Sequence, residues 1–255
     1  MKTHSSTPSQ GANQDSKGTE EWENVRRNFV RSDGVALEIL YPPYCKVCGN
    51  PIPGRFAENH PYCGVCKDSP DKYDPLVRVR AFGKYLFEEE YPDDRLSQDI
   101  RRMKTDPTII SLLQECLFYS MDYQYPELQE LDVVVPVMGG SSGRGYNQAA
   151  LLARGISFQY NLPYQDVLYV REPYRPMHEI HNLAEKGREI TGKVGCKHRF
   201  DGESILLIDD TCINMVTKRE CSKVLRAHGA GEVWALVLGR MVNRRHFDIL
   251  RGYNE

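Results

Sequence analysis

Two aliphatic runs, at residues 131–137 and 204–208, carry almost no polar alternation. A strand that shows one face to water alternates apolar and polar residues. A β-branched run without alternation is instead buried on both faces, as inside a parallel sheet covered by helices. The neighbouring segments agree. Val77, Val79 and Ala81 alternate with Arg78 and Arg80, which predicts a strand with a basic face. Leu96, Ile100 and Met103 recur at helical spacing behind the start signal Pro92-Asp93-Asp94. Further helices are predicted over 108–122, 147–158 and 216–228, the last one terminated by Gly229. Further strands are predicted over 164–171 and 232–238. From residue 131 the order is β-α-β-β-α-β, so the expected class is α/β, a parallel sheet flanked by helices. The polar stretch 171–203, with His178, Asn182, Lys186 and Arg188, reads as a long loop of the kind that either closes over a site or is disordered.

Charge and segment composition then exclude several classes. With 33 Lys+Arg against 35 Asp+Glu, the chain cannot hold nucleic acid by net positive charge, although local basic patches stay open. Its longest apolar stretches, 133–138 and 233–238, fall far short of the roughly 20 residues that span a bilayer. Residues 1–20 are Ser, Thr, Gln, Gly and Asn without an apolar core, which predicts a disordered tail, no secretory signal and a cytoplasmic setting. In a reducing compartment disulfides do not persist, and clustered cysteines more often bind metal.

Four of the eight cysteines are clustered. Cys45-Lys46-Val47-Cys48-Gly49 and Cys63-Gly64-Val65-Cys66 form two C-x-x-C pairs fourteen residues apart. Two-residue spacing lets both thiolates of a pair converge on one ion, and four thiolates close a tetrahedral shell with no open position, so the implied site is structural zinc. The competing reading is redox chemistry, but a redox C-x-x-C opens a helix in a βαβ unit, and this Pro/Gly-rich surrounding predicts none. So small a segment lacks a core of its own and needs a metal to fold. Cys116 and Cys221 sit among apolar helix residues and read as packing; His60 reads as surface.

The run Ile205-Leu206-Leu207-Ile208 ends in Asp209-Asp210 and turns into a helix. In an α/β sheet this puts two carboxylates at the carboxyl edge, where ligands bind, with a helix N-terminus beyond them that favours phosphate. The blander reading of the two acids is a solvated strand end. Met138-Gly139-Gly140-Ser141-Ser142-Gly143-Arg144, after the other buried strand, is rich enough in glycine and serine to form an anion nest, or is simply a flexible turn.

Residues 205–217 resemble the phosphoribosyl pyrophosphate (PRPP) motif of type I phosphoribosyltransferases. The remainder narrows the resemblance to the competence protein ComF family: the four-cysteine module behind Leu40-Tyr41-Pro42-Pro43-Tyr44, the Ile100-Arg101-Arg102-Met103-Lys104 helix, and Val135-Pro136-Val137 followed by Arg144-Gly145-Tyr146-Asn147-Gln148-Ala149. The resemblance spans roughly residues 40–240. Together with the segment composition, it divides the chain into a disordered tail at 1–20, a lead segment and zinc ribbon at 21–75, and a phosphoribosyltransferase-like domain at 76–255. It also implies that Asp209 and Asp210 hold ribose hydroxyls, that Gly139, Gly140, Ser141, Ser142 and Arg144 take pyrophosphate, and that Ile213, Asn214, Met215, Val216 and Thr217 take the 5′-phosphate. Mg²⁺ would accompany PRPP. The family's loop normally carries hydroxyl residues and a glycine where this chain has Ile213, Asn214 and Met215. A side chain forced to φ > 0 costs about 1–2 kcal/mol, so the expectation is a rearranged or weakened cradle, strained at Met215 if the family's backbone is kept and unstrained if the loop has found another amide geometry.

Three functions follow. One is a phosphoribosyl or nucleotide binder with a degenerate PRPP loop, acting through a protein partner in DNA uptake, processing or defence. Another is an active PRPP-dependent transferase. The third is a zinc-ribbon nucleic-acid binder using Lys46, Arg55, Lys67, Lys72, Arg78 and Arg80, with Tyr44, Phe56 and Tyr62 for stacking.

Overall fold

The computed structural model describes residues 28–52, 61–69, 75–139, 145–177 and 179–242. A short antiparallel hairpin, β1 (Asn28–Val30) and β2 (Ala36–Glu38), leads through the cysteine segment to β3 (Arg78–Tyr85). Helices α1 (Arg95–Arg102) and α2 (Ile110–Tyr119) follow, then β4 (Val133–Pro136) and α3 (Gln148–Tyr160). Next come β5 (Leu168–Val170), α4 (Leu183–Ile190), β6 (Val194–Cys196), β7 (Ile205–Cys212), α5 (Val216–Ala227) and β8 (Val233–Met241).

The main sheet is parallel throughout, in the order β3-β8-β7-β4. The unbroken aliphatic runs explain its place between two helical layers. Along β7, Ile205 and Leu207 join one apolar layer with Cys221 and Leu225 of α5, while Leu206 and Ile208 join the other with Ile100 of α1 and Leu113 of α2. All four are fully buried, each worth about 1.5–3 kcal/mol against exposure. Caps set the helix starts as the sequence indicates: Asp94 accepts from Ser97 N at 2.8 Å, and Asn147 accepts from Ala149 N at 3.0 Å. Gly229, at φ +95°, ends α5 where a Cβ would meet Phe200 O at 2.1 Å.

Three expectations are corrected. Residues 164–171 give the main sheet only a bridge from Tyr164 to Val134; β5 pairs antiparallel with β6 in a separate sheet. The stretch 171–203 is no structureless loop, since it contains α4, capped by Asn182, and β6; His178 lies outside the described residues. Arg80 does not form a basic face. It is buried among Tyr44, Tyr125 and Trp234, with its guanidinium 4.8 Å from the Trp234 ring, because aromatic faces and carbonyls replace the water it loses. Among the described residues no helix is long and apolar enough to cross a membrane.

Candidate functional site

β7 extends further than its aliphatic run suggests. Asp209 pairs in register with Val237 and Cys212 with Arg240, so both acids belong to the strand rather than to a loop beyond it. Strand periodicity then turns them to opposite faces. Asp209 faces the α5 layer, where the Lys218 ammonium donates to its Oδ2 and to the Thr211 carbonyl; Oδ1 accepts from Asp210 N at 2.9 Å. Asp210 faces the α1 layer, with Oδ2 3.8 Å from the Lys104 ammonium just beyond α1. Its Oδ1 accepts from Thr211 N at 2.6 Å and Thr211 Oγ1 at 3.0 Å.

Burial governs the charges. It raises the Asp209 carboxyl to about 6, against the pull of Lys218 and with a push from Asp210. Burial also works to strip the Lys218 proton, but Asp209, Cys212 and Asp210 outweigh it and hold the ammonium above its ordinary value. The Lys218 side chain is 5% exposed and that of Asp209 16%, so the ammonium is almost sealed from water while the carboxylate keeps an edge on the crevice.

A crevice of about 170 Å³ is lined by Asp209, Asp210, Thr211, Asn214, Thr217 and, from α4, Lys186. Ile213 also borders it, together with Met177 and Lys218. Met215 and Val216 turn instead to a neighbouring groove of about 320 Å³ between the loop and the cysteine segment. Gly139 ends the β4 segment on the same sheet edge, because β4 and β7 are parallel neighbours with Pro136 beside Ile208. Gly140, Ser141, Ser142 and Arg144 lie outside the described residues.

The strain expected at Met215 is absent. Met215 sits at φ −83°, ψ −3°, in the right-handed region, and among the described residues only Asn161 combines a side chain with positive φ. Asn214 supplies the turn, its Oδ1 accepting from Val216 N at 3.1 Å. Arg240 ties the loop down by donating to Cys212 O at 2.5 Å and Ile213 O at 3.0 Å. Met215 is freed to pack against both the α5 layer and the cysteine cluster.

The four cysteines converge. Their sulfurs all lie within 4.8 Å of one another, with Cys48 Sγ 3.6 Å from Cys63 Sγ. Four sulfurs bound to one tetrahedral zinc at about 2.3 Å stand roughly 3.8 Å apart, so the donor set and its spacing fit that ion. Contacts with Cys48, Cys63 and Cys66 hold the Cys45 thiol far below its ordinary value, while Cys48, chiefly through Cys45, is pushed up. Gly49, at φ +69°, lets the turn close where a Cβ would meet Val79 O at 2.9 Å. The segment covers the open edge of β3, and three successive carbonyls are satisfied from the main sheet. Lys46 O accepts from Arg80 at 3.1 Å, Val47 O from Val79 N at 2.7 Å and Cys48 O from Arg240 at 2.8 Å. Cys116, Cys196, Cys212 and Cys221 are buried elsewhere.

The nucleic-acid surface loses members. Arg80 is buried, Tyr44 stacks edge-on against Tyr125 with centroids 5.5 Å apart, and Arg78 pairs with Glu232 at 2.8 Å. Arg55, Phe56, His60 and Lys72 lie outside the described residues.

Sequence reasoning missed Lys218, Lys104 and Arg240. A signal for Lys218 existed: it shares a helical stripe with Cys221 and Leu225, at i+3 and i+7, so it faces the core. Arg240 continues a β8 segment in which Leu236, Val237 and Leu238 are fully buried.

No family model and no curated protein matches the chain. Solved structures that align with it include adenine phosphoribosyltransferase from Leishmania tarentolae, at 12% identity and a TM-score of 0.35, covering 71% of this chain and 95% of that one. The enzyme of the same name from Thermoanaerobacter pseudethanolicus aligns at 10% identity and a TM-score of 0.35, over 62% and 81%. The glutamine PRPP amidotransferase of B. subtilis, complexed with ADP and GMP, is 22% identical at a TM-score of 0.30, over 42% of this chain. The chain spans 22% of the length of that amidotransferase, and 22% of the allosteric regulatory enzyme of purine biosynthesis. At these scores the likeness carries no argument about ligand or activity, and the architecture rests on the sheet order itself.

Proposed function

We propose that the crevice at the end of β7 binds a phosphoribosyl group, alone or within a nucleotide. Asp210 would accept from ribose hydroxyls, and the first turn of α5 at Thr217 would receive the 5′-phosphate. A single arrangement supports this reading. Asp210 Oδ2 has no partner closer than Lys104 at 3.8 Å among the described residues, and it shares one small crevice with a twelve-residue helix's N-terminus and Lys186. Gly139, Gly140, Ser141, Ser142 and Arg144 would hold a second anionic group; the glycine-rich string and its place after β4 carry that part. Asp209 contributes the fixed backbone of the acid pair more than a free carboxylate.

In the same reading Cys45, Cys48, Cys63 and Cys66 hold one structural zinc, which would fold the segment that covers the edge of β3. The resemblance to the ComF family supports the combination of zinc module and phosphoribosyl site, and it alone suggests a protein partner in a DNA-related process. Calorimetric titration with PRPP and with ribose 5-phosphate tests the crevice. Saturable binding that weakens at least about tenfold in Asp210→Asn and in Thr217→Val is expected, and no binding of either compound would refute the reading. Release of pyrophosphate from PRPP on adding a nucleobase would establish the transferase instead.

A further inference from the structure

A pair of adjacent carboxylates at a phosphoribosyl crevice ordinarily invites a divalent cation, and the resemblance implies Mg²⁺. The residues here do not fit one. Asp209 has both oxygens engaged, Oδ2 by the Lys218 ammonium and Oδ1 by Asp210 N. The carboxylates point to opposite faces of the sheet, because they are successive residues of one strand. Each has its own lysine, Lys218 from α5 on one side and Lys104 beyond α1 on the other. Lys186 is a second ammonium, beside Lys218, in the crevice lining. Two acids therefore face three lysines, and an incoming Mg²⁺ would have to displace or repel a buried ammonium that also holds the Thr211 carbonyl.

We propose that Lys218 is a resident cation of the Asp209–Asp210 pair, so that the crevice holds no divalent metal and takes a phosphorylated ribose without one. The lysine does what a bound metal would do for Asp209, neutralising it and fixing its orientation. It leaves Asp210 as the one carboxylate turned to a ligand. Lys186, in the crevice lining, balances the ligand's phosphate charge. The choice of a phosphorylated ribose as ligand rests on the function proposed above; the exclusion of the metal does not.

Manganese alone is the probe for the metal, followed by electron paramagnetic resonance on the full chain with its cysteine cluster loaded. The wild-type crevice should leave added Mn²⁺ free. Lys218→Met, which keeps the volume of the side chain and removes its charge, should create one site at least about tenfold tighter, lost again when Asp209→Asn is added. Lys218→Arg should stay without metal. Stoichiometric Mn²⁺ on the wild type, removed by Asp210→Asn, would overturn the proposal, as would a folded Lys218→Met that gains no site. Should Lys218→Met not fold, the wild-type titration still decides. A second arm compares ribose 5-phosphate binding in metal-free buffer and in excess MgCl₂. Equal affinity supports the proposal, and a tenfold or greater dependence on Mg²⁺ refutes it. Absence of both ribose 5-phosphate and PRPP binding removes the phosphoribosyl reading and the ligand half of the proposal, while the Mn²⁺ titration still judges Lys218.

Discussion

The cysteine cluster and the acid pair pose one electrostatic problem and solve it in opposite ways. At the cluster four like side chains point at one another, their sulfurs within 4.8 Å. Their charge, once deprotonated, calls for an ion from outside. At the end of β7 two like side chains point apart, and each meets a lysine on its own face, Lys218 of α5 or Lys104 in the turn after α1. Convergent donors are arranged to suit a metal, whereas the divergent acids are each met by a lysine of the chain. The two regions are nevertheless mechanically joined, since Arg240 bonds the carbonyl of Cys48 and those of Cys212 and Ile213.

The largest effect should come from breaking the first region. Cys45→Ser or Cys66→Ser should abolish stoichiometric zinc and remove most of the roughly 10 kcal/mol that a structural zinc supplies to its module. Metal analysis and thermal unfolding check this, and an equally stable protein with no metal would refute it. Because Arg240 spans both regions, protection of the 212–217 amides from hydrogen exchange should fall in the same variants.

Asp209→Asn should be next. It leaves the Lys218 ammonium buried without its carboxylate, which costs about 3–5 kcal/mol in urea unfolding at neutral pH.

Lys218→Met should cost less, about 1–3 kcal/mol, and its cost should depend on pH. Burial already places the Asp209 carboxyl at about 6 in the folded state, above the ordinary 3.8. The folded state then binds the extra proton, so the stability linked to Asp209 is full below about pH 4 and is lost as pH rises through about 6. Without Lys218 the carboxyl shifts further up. The variant should therefore lie closest to wild type near pH 5 and fall behind it near pH 8, as paired urea curves at the two values would show.

The smallest effect is expected from Met215→Gly, about 1–2 kcal/mol of lost packing between the loop and the cysteine segment. No gain in PRPP affinity should accompany it, because Met215 at φ −83° has no strain to release. A tighter complex would show that the backbone in this loop differs in the bound state.

Much of the architecture was legible because it depends on local pattern. The aliphatic runs of β4 and β7 state their own double burial, Asp94 and Asn147 mark helix starts, and paired C-x-x-C spacing announces convergence. The long polar stretch misled because α4 and β6 are short and pack at the margin of the fold, where polarity masks periodicity. Met215 misled because a motif position was equated with a backbone conformation, while Asn214 made the turn by another route.

The sequence by itself determined that a parallel sheet would form, that two carboxylates would stand at its carboxyl edge and that four thiols would gather beside it. These follow from residue type and spacing along one strand or one turn. Only the tertiary structure decided what those carboxylates can do. Lys218, Lys104 and Arg240 are separated from their partners by 9, 106 and as many as 192 positions. An ammonium or guanidinium becomes a neutralising partner only when helix and strand packing removes its water and brings it to the one carboxylate or carbonyl that replaces it.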